Sequence, residues 1–151
     1  MHLRIVAAGK LRDPAAAAVC AEFQKRLRAY HRIEVTEVRA SSGSDPVRAI
    51  REEGERLLKA AGDGVLWALD RAGTELSSEE LSAKIIELES RGRPLTLIIG
   101  GTFGLAQDVR ARADFVWSLS KLTFLHEWAR MIVLEQLYRV AKIARSEPYH
   151  H

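Results

Sequence analysis

Residues 95–120 read LTLIIGGTFGLAQDVRARADFVWSLS, and the reading of this stretch decides the fold. LTLII (Leu95 to Ile99) is an unbroken apolar run of strand length, as expected of a strand buried on both faces. A glycine-rich turn follows, Gly100-Gly101-Thr102-Phe103-Gly104, then a short helical stretch to Arg112 and a second apolar run, FVWSLS (Phe115 to Ser120). Strand, helix and strand in succession are the signature of a parallel sheet.

The same alternation holds outward from this point. LRIVAA (Leu3 to Ala8) is a buried-strand pattern, and Asp13-Pro14 supplies an N-cap and a first-turn proline for an Ala-rich helix to about Tyr30. IEVTEV (Ile33 to Val38) alternates apolar and polar, as a half-buried or edge strand does, and Asp45-Pro46 opens a second helix to about Ala61. VLWALD (Val65 to Asp70) is a third strand, followed by a turn. Ser77 and Glu80 fit a capping box for a helix to about Arg91. The last helix is expected from around Leu125 to Ile143 or Ala144. The expected architecture is therefore α/β: a mainly parallel sheet of five to six strands with helices on both faces, in one domain over residues 1–151.

A chain of 151 residues buries roughly two thirds of its unfolded surface and suits a single domain. No apolar stretch approaches the ~20 residues of a membrane span, and the opening MHLRIVAAGKLRDP is too short in its apolar core for an export signal. A lone cysteine, Cys20, closes no internal disulfide and has no neighbour at metal-ligand spacing. The expected setting is a reducing cytoplasm, with no metal and no membrane. The net charge is +3 and the isoelectric point 9.2. The grouping of cations, Arg26, Arg28 and Arg32, then Arg130, Arg139, Lys142 and Arg145, fits a polyanion as well as it fits solvated helix faces.

In parallel sheets ligands gather beyond the strand C-termini, where loops and helix starts leave backbone donors free. Three places qualify: Leu69-Asp70, Gly100 to Gly104, and Leu119 to Phe124. The glycine motif lets the backbone approach a ligand closely, but it lacks the spacing of a dinucleotide fingerprint and has no phosphate-loop lysine. Ser118, Ser120 and Thr123 can cap the last helix through their hydroxyls. That helix is apolar around most of its circumference (Met131, Ile132, Val133, Leu134, Leu137, Tyr138, Val140, Ala141), so a homodimer through it is expected. Glu135 and Arg139 stand at i, i+4 in the favourable order, and His126 precedes Glu127 at the helix start. The chain closes on RSEPYHH, either a frayed tail or a reagent set of Tyr149, His150 and His151. Neither HExxH nor CxxC is present, and no Ser-His-Asp order stands out.

Read together, IIGGTFGL, WSLSKLTFLHEWAR and VLEQLYRVAKIARSEPYH resemble the ribosomal large-subunit methyltransferase H family of the SPOUT (trefoil-knot) methyltransferases, and the likeness extends over the whole chain. Three positions depart from the family's usual pattern: Thr102 stands where a proline is frequent in the glycine motif, Leu125 where a proline often precedes the histidine, and His151 where the final residue is usually basic. The resemblance implies a deep C-terminal trefoil knot and S-adenosylmethionine bound among its loops. The implied cofactor positions are Leu69, Gly100, Gly101, Gly104, Leu119, Ser120, Lys121, Leu122, Thr123 and Phe124. It further implies a homodimer that methylates N3 of a pseudouridine in 23S rRNA on the assembled ribosome. Tyr149 and His150 would close over the cofactor, with Arg139 and His126 nearby. The alternative is a non-catalytic α/β module that binds a nucleotide or RNA through the same loops, for which the terminal Tyr-His has no use.

Overall fold

The structure, a computed structural model, describes residues 1–149. Ten elements alternate: β1 (His2–Ala8), α1 (Pro14–Leu27), β2 (Arg32–Val38), α2 (Pro46–Ala61), β3 (Val65–Glu75), α3 (Ser78–Ser90), β4 (Leu95–Ile99), α4 (Gln107–Arg112), β5 (Phe115–Ser118) and α5 (His126–Ala144). Among the described residues five strands form one sheet in the order β2-β1-β4-β3-β5, every adjacent pair parallel. The alternation of side chains along a strand sends Leu3, Ile5, Ala7, Leu95, Leu97 and Ile99 to one face, beneath α1, α3 and α5, with Cys20 buried among them. Val6, Ala8, Ala68 and Ile98 face the other way, beneath α2 and α4. Both faces are covered, which is why β4 is buried at every position while β2, at the edge, alternates.

The helix starts follow the local chemistry. Asp13 accepts from the Ala15 amide, Asp45 from Val47 and Arg48, and Ser77 and Glu80 close both halves of a capping box. α5 departs from expectation. Its N-cap is Leu125, which makes no side-chain cap bond, and the three hydroxyls expected to cap it work inside the preceding loop instead. Ser118 Oγ donates to the Arg71 and Ser120 carbonyls, Ser120 Oγ accepts from the Leu122 amide, and Thr123 Oγ1 accepts from Arg71. These bonds also end β5 at Ser118, two residues earlier than expected.

The turn expected after Asp70 is absent. β3 continues to Glu75 with a register shift against β5 between Leu69 and Thr74. Such a bulge re-aims the side chains around it. It depends on Gly73, where a Cβ would lie 2.5 Å from the Val116 carbonyl oxygen.

The cation clusters are largely partnered. Arg26 meets Glu22 at 2.7 Å, Arg32 meets Glu34 at 3.0 Å, and Lys142 meets Glu147 at 2.5 Å. Arg130 belongs to the interior, with its side chain 1% exposed. No helix among the described residues is long and apolar enough to cross a membrane.

Candidate active site

Beyond the C-terminal ends of β3, β4 and β5 lies a cleft of about 540 Å³, within the range of small-molecule sites. The glycine turn forms one wall. Gly104, at φ +87°, donates to the Gly101 carbonyl at 3.1 Å, and the two glycines make an isolated antiparallel bridge. A Cβ on Gly100 would sit 2.6 Å from the Gly104 oxygen, and one on Gly101 2.7 Å from Glu53 Oε2. The turn is thus closed from both sides, and only bare backbone fits.

Of the ten expected cofactor positions, Leu69, Gly100, Gly101, Gly104, Leu119, Ser120, Leu122, Thr123 and Phe124 border this cleft, and His126 joins them. Lys121 does not border it and stands exposed. Sequence reasoning missed Arg71, Arg110 and Glu53. Arg110 reaches across from α4 to Asp70 at 3.0 Å, and Asp70 also accepts from the Ala72 amide at 2.9 Å. Arg71 spans from β3 to Thr123 at 3.4 Å. Glu53, on α2, is 5% exposed; it accepts from the Ser41 amide at 2.9 Å and backs the Gly101 turn. No sequence signal marks the two arginines, because Arg71 is placed by the shifted stretch of β3 and Arg110 by its reach from α4 to Asp70, both tertiary features. An acidic residue on the sheet-facing side of α2 was the one available hint of Glu53.

Arg139 and Tyr149 lie elsewhere in the protomer. Arg139 Nη2 donates to Glu135 at 2.5 Å, and its guanidinium lies 4.8 Å from the centre of the Tyr149 ring. Tyr149 donates from its hydroxyl to Glu135 at 3.2 Å and stands edge-on to Tyr138, with centroids 4.9 Å apart. From His126 to Arg139 the axis of α5 advances about 20 Å at 1.5 Å per residue. Arg139 and the cleft of one protomer are therefore apart, with about 15 Å of α5 between Arg139 and Ala129 at the cleft edge. Burial first, then the charge of Glu135, raises the Tyr149 pKa above its ordinary value, so the hydroxyl is a proton donor near neutrality. The expected roles of His150 and His151 fall outside the described residues. Among those described, no group of three or more His, Cys, Asp or Glu could hold a metal ion.

An apolar strip runs from the cleft along the outside of α5. Leu122 is 70% exposed, Leu125 66% and Trp128 49%, with Ile132 partly exposed one turn on.

The family described as predicted SPOUT methyltransferase matches residues 1–150. The protein named ribosomal RNA large subunit methyltransferase H in Gloeobacter violaceus is 46% identical over 152 residues, covering 100% of this chain and 99% of the relative. Its namesake in Heliobacterium modesticaldum is 45% identical over 161 residues, covering 99% of each. Among solved structures, a probable methylase family protein from Haemophilus influenzae superposes with a TM-score of 0.60 at 10% identity, over 99% of this chain and 70% of its own. The tRNA (m1G37) methyltransferase from Aquifex aeolicus superposes with a TM-score of 0.56 at 18% identity, over 100% and 75%. These two share the fold. A match along the whole chain, a parallel sheet with its cleft at the strand C-termini, and relatives above 40% identity over their full length agree: the chain belongs to the SPOUT methyltransferases, in the ribosomal RNA large subunit methyltransferase H family.

Proposed function

We propose that this protein methylates N3 of a pseudouridine in 23S rRNA of the assembled ribosome, acting as a homodimer in which the tail of one subunit completes the cleft of the other. The carrying observation lies within one protomer: Arg139 stands about 15 Å along α5 from Ala129, the last helix residue that borders the cleft, and Tyr149 packs on Arg139 and Glu135 instead of on the cleft. The apolar strip of Leu122, Leu125 and Trp128 gives a second copy a surface to cover between them. The C-terminal trefoil knot is part of this reading.

The family's cofactor is S-adenosylmethionine, and the cleft suits it. Leu69, Ile99, Leu119 and Phe124 offer apolar walls to a purine, and the bare glycine turn and the 119–124 loop offer backbone donors and acceptors to its edge. When bound, the cofactor supplies a methyl group on a sulfonium whose leaving thioether needs no proton. The demand falls on the target, since an imide N3 attacks only after losing its proton. Arg139 is charged at any working pH and stabilises negative charge on the imide. Tyr149, held protonated, turns its one hydroxyl proton from Glu135 to the base and so orients it. His150 is the proposed proton acceptor, with His126 at the cleft edge holding the ring from the other side.

Subunit mixing tests this reading. A Gly100→Trp variant breaks the glycine turn that walls the cleft and a Tyr149→Ala variant lacks the tail ring, so each alone should fail to transfer labelled methyl from S-adenosylmethionine to ribosomes. Their equimolar mixture should recover about a quarter of the activity, since half of the dimers are mixed and each of those has one intact site of two. A mixture as inactive as its parts rejects the shared site. Absence of labelled methyl with the unmodified protein, together with no heat of S-adenosylmethionine binding, rejects the enzyme.

A further inference from the structure

Immediately after α5 the chain folds back on itself. Ser146 has φ +52°, alone among the described non-glycine residues in the left-handed region, a conformation that a residue with a Cβ adopts only when its surroundings hold it there. The holding contacts converge on the next residue. The Glu147 amide donates to the Lys142 carbonyl at 3.0 Å, and Glu147 Oε2 accepts from Lys142 Nζ at 2.5 Å and from the Tyr30 hydroxyl at 2.8 Å. Tyr30 lies between α1 and β2, 117 residues away in sequence, with the Arg145 guanidinium 4.7 Å from its ring centre. Pro148 then stiffens the chain, and Tyr149 lands on Tyr138 and Glu135.

We propose that Glu147, anchored by Tyr30 and Lys142, is a positioning residue for methyl transfer: it sets the direction in which Tyr149 and the residues after it leave α5. This rests on the reading above, in which that tail serves a reaction site. A helix end that needed only to stop would not require a carboxylate bound from two separate elements. Nor would it require the left-handed turn at Ser146, because α5 already closes with backbone bonds from Arg145 and Ser146 to Lys142 and Ile143. The bond from Lys142, and after it that from Tyr30, holds the Glu147 carboxyl below the ordinary carboxylate range, so the anchor stays charged near neutrality.

The test uses full-length Glu147→Gln, Tyr30→Phe and Glu147→Asp, with methyl transfer to ribosomes measured against concentrations of both substrates. A misdirected tail should lower kcat roughly tenfold to a hundredfold in Glu147→Gln, since small displacements of reacting groups cost that much. S-adenosylmethionine affinity and its KM should stay within about twofold, because in the proposed dimer the cleft loops hold the cofactor while the partner's tail meets the target base. Tyr30→Phe combined with Glu147→Gln should be no worse than the poorer single variant, as expected of groups acting as a unit, and Glu147→Asp should recover part of kcat. An unchanged kcat in Glu147→Gln, or a fall matched by loss of folded protein, overturns the proposal. Amide exchange over residues 145–149 separates it from the parent reading. Faster exchange in Glu147→Gln than in the unmodified chain supports the anchor even if no methyl transfer is found, and equal exchange overturns it even if methyl transfer is robust.

Discussion

Arg130 and Glu37 join the helix that carries the tail to the edge of the sheet, with Arg130 Nη1 donating to Glu37 Oε1 at 2.5 Å. The same guanidinium donates from Nη2 to the Gly9 carbonyl at 2.9 Å, so one side chain fixes α5 against the ends of β1 and β2. Glu127, one turn earlier, accepts from the Arg12 and Asp13 amides and holds the loop after β1.

Removing Glu37 would leave a guanidinium buried without its carboxylate. Glu37→Gln should destabilise the fold by about 3 kcal/mol, the lower end for a broken buried pair because Glu37 itself is 31% exposed. Arg130→Met, which removes the buried charge and keeps apolar contact, should cost less than Glu37→Gln. Urea unfolding of the two variants checks the order.

His31 makes the fold acid-sensitive. Burial, and after it the positive Met1 amino group 3.4 Å away, lowers its pKa from 6.5 to about 4, against the opposing pull of Glu89. The folded-state value lies below the unfolded one, so between about pH 6.5 and pH 4 the unfolded chain binds a proton that the folded chain refuses. The contribution is complete above that window and is lost as pH falls through it. Thermal midpoints of the unmodified chain should drop over this range more steeply than those of His31→Gln.

Closing the glycine turn should abolish the ligand site without unfolding the protein. In Gly100→Ala the new methyl meets the Gly104 carbonyl oxygen, 2.6 Å away, and backbone has to move, at about 1–3 kcal/mol. Gly101→Ala should be milder, since its methyl meets the end of the Glu53 side chain. Calorimetry with S-adenosylmethionine, alongside melting curves, should show affinity falling more in Gly100→Ala than in Gly101→Ala.

In the proposed homodimer, charge on the exposed apolar residues at the start of α5 should prevent pairing of subunits. Trp128→Glu or Leu125→Glu should give a monomer in sedimentation equilibrium at micromolar concentration with an unchanged circular dichroism spectrum, because both side chains are exposed in the protomer. A dimer persisting in both variants would place the interface elsewhere.

What the sequence determined by itself was whatever rests on near neighbours. Buried runs such as LTLII and LRIVAA, the Asp-Pro helix starts and the Ser77–Glu80 capping box are local chemistry, and with the strand-end rule they located the cleft loops. The pattern of the three stretches between residues 98 and 150, long and specific, led to the family that the full-length match then showed. Only the tertiary structure decided that β3 runs through its expected turn by way of Gly73, and that Arg130 is an interior strut rather than a surface cation. It likewise decided that Arg139 rests about 15 Å along α5 from Ala129 at the cleft edge, with Tyr149 packed on it. Each of these turns on contacts between residues tens of positions apart. A one-dimensional pattern lists the charges and rings but not the neighbours that neutralise, bury or redirect them.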